Sequence, residues 1–200
     1  MVEQVEEKRE QAKQEGFTFS VWTMDEQRLG LKPVTRRVWA IKGSKPIAVV
    51  NHRYEWLYLY GFVQPETGQT YFLILPFVNV VVMNLALAHF ALDLGLNSSN
   101  RVLLVLDQAG WHVGKDLVVP DGLELMFLPS HSPELQPAER LWPLTSEAVA
   151  NRSFADLDAL ETVLADRCLV LGCDGDRVRG LTLFSWWPKV GSLVLESITT

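Results

Sequence analysis

Between Arg101 and Trp142 the chain twice runs an apolar segment into a polar loop, and this repeated pattern constrains the fold more than any other feature. The first part reads RVLLVLDQAGWH. Its apolar run, Val102 to Leu106, is short for a helix and rich enough in Val and Leu for a buried strand. It ends on Asp107, and a carboxylate just past the carboxyl end of a buried strand sits where open α/β sheets place ligands. The second part reads LELMFLPSHSPELQPAERLW. Leu123 to Leu128 forms another expected strand, and a proline-punctuated loop follows. Pro137 suits the first position of a helix, which puts Glu139 in that helix's first turn. Singly, these acids have ordinary explanations: a strand-end Asp in a turn, and a Glu favoured by the helix dipole. Their pairing points to chemistry.

Two hundred residues, 48% hydrophobic and 21% charged, describe one ordinary globular domain with a sizeable core, with or without extensions. No apolar run reaches the roughly 18 residues of a membrane helix. The densest stretch, Val78 to Leu96, is interrupted by Asn79, Asn84, His89 and Asp93. The amino terminus is charged from Glu3, unlike a secretory signal. Cys168 and Cys173 have neither zinc-site nor disulfide-framework spacing, which fits a reducing cytoplasm. A net charge of −6 argues against nucleic acid as a total. Its distribution argues otherwise. From Gln27 to Tyr54 there is no Asp or Glu, but there are Arg28, Lys32, Arg36, Arg37, Lys42, Lys45 and Arg53. Such a run is commonly just solvated surface. Beginning beside Asp25, it suits phosphate contact.

In chain order, residues 1–16 are polar on all sides and read as a solvated helical lead-in or linker stump. Phe17 to Met24 is aromatic and β-branched, an expected strand closing on Asp25 and Glu26. Alternation sends Val21, Thr23 and Asp25 to one side and Trp22, Met24 and Glu26 to the other, so the two acids are not equivalent. Strands are expected at Ile47–Asn51, Glu55–Val63 and Tyr71–Leu75, then a helix from Val78 to Leu94. After the organising stretch, Ser153 is an expected N-cap for a helix to about Leu171. A short helix within Asp174–Phe184 and a loop-like tail from residue 186 complete the chain. If the first long strand lies beside the strand ending at Asp107, Asp25 and Asp107 meet at their carboxyl ends with Glu139 packed alongside. That is an α/β, ribonuclease-H-like arrangement: a mixed five-stranded sheet flanked by helices, over residues 17–185.

Three carboxylates in one place repel. At an effective dielectric near 20, each pair about 4 Å apart costs on the order of 4 kcal/mol. A hard divalent cation with oxygen ligands relieves this, and the donor set suits Mg²⁺ or Mn²⁺ rather than zinc. Two such ions support in-line phosphodiester hydrolysis and transesterification.

The segments FTFSVWTMDE, RRVWAIKG, LLVLDQAGWH and LPSHSPELQPAERLW, in this order, resemble the transposases of bacterial insertion sequences in the group numbered 630. These are relatives of the mariner elements within the DDE superfamily. The resemblance covers about Phe17 to Phe184 and puts the family's three acids on Asp25, Asp107 and Glu139. It implies a Mg²⁺-dependent catalytic domain that cuts DNA at transposon ends and joins them to a target, commonly at TA. It further implies a homodimer on DNA, at work on the bacterial nucleoid. Gln108 and Gln136 stand where the family often has Asn. The family's upstream helix-turn-helix region has no counterpart here, so a DNA-binding part from another reading frame is an expected partner. Other readings are a truncated regulator that pairs with full-length transposase, and a metal-dependent nuclease on the same fold.

Among the remaining residues, Arg36, Arg37, Lys42 and Lys45 are expected DNA contacts. His112 suits a ligand-orienting, DNA-contacting or structural role, and His131 a phosphate contact. Glu134 is the rival third acid. Trp142 is expected to pack in the core.

Overall fold

The computed structural model describes residues 2–44, 47, 53–130 and 132–187. Five strands form one mixed sheet: β1 (Thr18–Gly30), β2 (Trp56–Gln64), β3 (Gln69–Leu75), β4 (Asn100–Leu106) and β5 (Leu123–Phe127). Their spatial order is β3-β2-β1-β4-β5. The hairpin neighbours β1–β2 and β2–β3 are antiparallel, whereas β1–β4 and β4–β5 are parallel. The helices are α1 (Val2–Glu15), α2 (Val80–Asp93), α3 (Leu141–Ser146), α4 (Leu157–Gly172) and α5 (Gly175–Thr182).

Both faces of the sheet are covered, and strand alternation sorts the side chains. Trp22, Met24, Tyr60, Phe62 and Leu104 bury against Met83, Leu87 and Phe90 of α2. On the opposite face Val21, Leu103 and Val105 form a cluster with Val5 of α1 and Trp187. Leu29, Leu57 and Leu59 pack on the same side as Leu160 and Leu164 of α4. Leu157, Val163 and Cys168 of α4 pack at the margin of this cluster.

Three expectations need correction. β1 runs on to Gly30 rather than ending at Met24, because β2 stays paired to it through Gly30↔Trp56 after β4 has left. Helix α1 is not a solvated stump. Val5 is fully buried, and Lys8 and Arg9 pair with Glu124 and Glu66. Trp187 stands on irregular backbone, and its side chain is buried in the cluster around Val21. The cap of α4 is Asp156, not Ser153: its side chain accepts from the Ala159 N–H at 2.9 Å. Asp156→Ala is expected to cost about 1 kcal/mol in chemical denaturation. The strand expected at Ile47–Asn51 falls largely outside the described residues.

Candidate active site

The geometry begins with the parallel pair. Thr23 of β1 lies opposite Val105 of β4. Two residues further along each strand direction are Asp25, still within β1, and Asp107, just past the end of β4, so both acids stand at the same level. β4 stops there and β1 continues, which opens a cleft at the end of β4. The loop after β5 closes one side of it. Gln136, buried in that loop, is hydrogen-bonded to the Thr23 hydroxyl and donates from Nε2 to the Met24 carbonyl at 3.0 Å. Pro137 then starts a 3₁₀ turn, Pro137–Arg140, that runs directly into α3. Glu139 stands on that turn. Asp25, Asp107 and Glu139 together line a cavity of about 320 Å³, with Gln108, Ser130 and Ser132 on its walls.

The two strand-end acids have opposite electrostatics. Burial pushes the Asp25 carboxyl up to about 7; the charges of Glu26 and Asp107 add to this, and hydrogen bonds from Trp142 and the Glu26 backbone oppose it. Among the described residues no Lys or Arg forms an ion pair with Asp25. Asp107 is held below its ordinary value by its hydrogen bond with His112, against a smaller burial effect. Glu139 is raised, chiefly by burial, with Arg140 opposing and Asp107 and Glu134 adding.

The partner of Asp25 was not legible beforehand. Trp142 donates from Nε1 to Asp25 Oδ2 at 2.8 Å, so it braces an acid in addition to packing. Gly61 of β2 lies opposite Asp25 in register and makes room for this ring: a β-carbon there would come within 2.8 Å of Trp142. A glycine inside a strand marks such a close approach, and Gly61 was the available signal. A hydrogen bond to a charged acceptor contributes about 1.5–3 kcal/mol. Trp142→Phe is therefore expected to move the Asp25 titration midpoint upward from about 7, as followed by carboxyl ¹³C NMR.

The expected DNA contacts fare unequally. His112 is wholly buried, with Nδ1 2.6 Å from Asp107 Oδ1 and Nε2 3.0 Å from Glu26 Oε1, and this removes it from any DNA-facing surface. Burial disfavours its charge, but the two carboxylates prevail and raise it to about 9. Arg36 is pinned from both directions. Its guanidinium donates to the Pro143 carbonyl at 2.7 Å, and its backbone exchanges hydrogen bonds with the Asn151 side chain. Asn151 adopts a left-handed φ of 58° to make this clamp. Arg37 and Lys42 are exposed. Lys45 and His131 lie outside the described residues. Glu26 faces away from the cavity, as alternation required, and Gln108 donates from Nε2 to the Leu128 carbonyl at 2.8 Å. Glu134, the rival third acid, is not among the residues lining the cavity.

The donor set in the cavity is all oxygen, and a half-buried carboxyl without a cationic partner fits a hard cation. Among the described residues no three His, Cys, Asp or Glu side chains yet converge closely enough to enclose one.

Residues 20–161 match the family model described as DDE superfamily endonuclease. An uncharacterised protein of Sinorhizobium fredii is 40% identical over 108 residues, which is 54% of this chain and 78% of that protein. The solved catalytic domain of Mos1 mariner transposase superposes with a TM-score of 0.53 at 14% identity, over 87% of this chain and 84% of that one. The Mos1 mariner paired end complex with Mn gives a TM-score of 0.58 at 17% identity, over 86% of this chain and 56% of that one. The chain thus spans about half the length of the transposase chains in such complexes. At these identities the structural likeness is one of fold, and that fold is the ribonuclease-H-like one.

Proposed function

This chain belongs to the DDE superfamily endonucleases, and we propose that its three-acid cavity cleaves DNA phosphodiesters and transfers the strand at transposon ends. The observation that best supports this reading is the convergence of Asp25, Asp107 and Glu139 on one cavity from β1, the end of β4 and the turn before α3. Asp25 and Asp107 would hold divalent ions, Mg²⁺ or Mn²⁺, with Glu139 closing the set from the cavity rim. Two ions held there supply activation of a water or 3′-hydroxyl and stabilisation of the leaving oxygen. The chain's own contribution is to fix the acids. Trp142 braces Asp25, His112 braces Asp107, and Gln136 ties the loop before Glu139 to β1.

The substrate is double-stranded DNA, with the exposed Arg37 and Lys42 supplying phosphate contacts. Specific recognition of transposon ends would fall to a helix-turn-helix part outside these 200 residues. A second copy of the chain covers the exposed Val38, Trp39 and Ile41 of the same basic segment. Sedimentation with and without duplex DNA tests both partners. Among the described residues no helix is long and apolar enough to cross a membrane; action on nucleoid DNA in the bacterial cytoplasm is the setting this reading implies.

The test is nicking of supercoiled plasmid. Nicking that requires Mn²⁺ and disappears in Asp107→Asn is the expected result. Absence of nicking contradicts the reading and favours a regulatory chain; nicking that survives the substitution contradicts the role given to Asp107.

A further inference from the structure

Asp107 is half exposed, yet what holds it is buried. Its Oδ1 lies 2.6 Å from His112 Nδ1 and accepts the Ala109 N–H at 3.0 Å. The His112 ring is 0% exposed, against 52% for the Asp107 side chain. The other ring nitrogen, Nε2, lies 3.0 Å from Glu26 Oε1, whose side chain is 5% exposed. Glu26 Oε1 also accepts from Trp111 Nε1 at 3.1 Å. A three-member chain therefore runs from β1, beneath the end of β4, to one oxygen of Asp107.

Glu26 follows Asp25 directly, and strand alternation sends the two to opposite faces. Asp25 enters the cavity; Glu26 is not among the residues that line it. Burying a carboxylate is unfavourable unless its hydrogen bonds are satisfied, and a buried charge pair is a weak source of stability. Here the arrangement fixes geometry. With Oδ1 of Asp107 engaged twice, Oδ2 makes no hydrogen bond among the described residues and is the oxygen left for a ligand in the cavity.

We propose that Glu26 is a positioning residue for Asp107, acting through His112. This rests on reading the cavity as a divalent-cation site. The neighbouring acids of β1 then have different roles, in which Asp25 binds and Glu26 orients the acid across the cleft. Partners that orient metal ligands in this way typically change metal affinity by about 10–100-fold when removed.

The test separates reach from charge. Glu26→Asp keeps the charge but withdraws the carboxylate by one methylene, out of reach of His112. Glu26→Gln keeps the acceptor in place and loses the charge. Calorimetric titration with Mn²⁺ alone, with thermal melting to confirm folding, is expected to show about tenfold or greater weakening in Glu26→Asp. Affinity near that of the wild type is expected in Glu26→Gln. Wild-type affinity in Glu26→Asp, or equal weakening in both variants, overturns the proposal. If the wild-type chain binds no Mn²⁺, the cation-site reading fails, and ¹⁵N NMR of the metal-free protein decides the positioning question. A His112 Nδ1–H protected from solvent exchange in the wild type and unprotected in Glu26→Asp supports it. Protection in both overturns it.

Discussion

Asp107→Asn is expected to lower Mn²⁺-dependent DNA cleavage by about 10³-fold, roughly 4 kcal/mol of transition-state stabilisation, without loss of the fold. The local structure survives for a specific reason. Asparagine keeps a carbonyl oxygen that can accept from His112 Nδ1 and from the Ala109 N–H, the two donors that now meet Oδ1. What changes is the other position. Oδ2, free of hydrogen bonds among the described residues, becomes an amide nitrogen that repels a cation. Melting temperature is therefore expected to stay near that of the wild type while cleavage falls. A parallel loss of folding would mean that Asp107 serves the β4 turn and not the chemistry. Cleavage assays and melting curves on the same preparation decide between the two.

The metal-free protein is expected to lose stability as pH rises from about 5 to 9, in two stages. Burial, with the charges of Glu26 and Asp107, raises the Asp25 carboxyl from 3.8 to about 7. A group whose folded value lies above its unfolded one favours folding fully below the unfolded value, and this is lost as pH climbs through the folded value. Asp25 accordingly contributes fully below about 3.8 and loses its contribution towards pH 7. At about 1.4 kcal/mol per pH unit this first stage is worth up to about 4 kcal/mol. His112 follows the same sign: its contribution is full below 6.5 and lost as pH rises through about 9. Asp107, held low by His112, works the other way and loses its contribution in acid. Asp25→Asn should remove the first stage and leave the second, which melting curves at successive pH values would reveal. A divalent ion should remove it as well, by holding Asp25 ionised; its affinity is then expected to rise with pH up to about 7. A flat profile between pH 5 and 7 in the metal-free wild type would contradict the buried, unpaired state of Asp25.

What the sequence disclosed was mostly what strand periodicity and punctuation carry. The apolar run ending in Asp107, the alternation that separates Asp25 from Glu26, and Pro137 at the head of a helical turn all reappear in the fold. Side-chain reach was not legible. Nothing in the spacing of Asp25 and Trp142 says that an indole 117 positions away donates to that carboxylate. Only Gly61, lacking a β-carbon where the ring must pass, left a trace. The buried side of His112 was one of three open readings, because a histidine five residues after an acid can turn either way around a strand end. The length of β1 was missed because its second half, Glu26-Gln-Arg, is polar, as suits a strand that has lost one neighbour. Helix α1 was misjudged for a related reason. Its buried residues among those described are Val5 and Ala12, too sparse a stripe to read, and two ion pairs, Lys8 with Glu124 and Arg9 with Glu66, tie it to the rest of the chain. In Trp186-Trp187-Pro the proline suggested a loop, and a loop can still deliver Trp187 into the core.

The most direct measurement is calorimetric titration of Mn²⁺ into the wild-type chain and into Asp25→Asn/Asp107→Asn. Binding in the wild type that disappears in the double variant, with both proteins folded, is the expected result and places the two acids at one cation site. Binding that persists unchanged in the double variant would locate the ion elsewhere and contradict the assignment of this cavity as the catalytic centre.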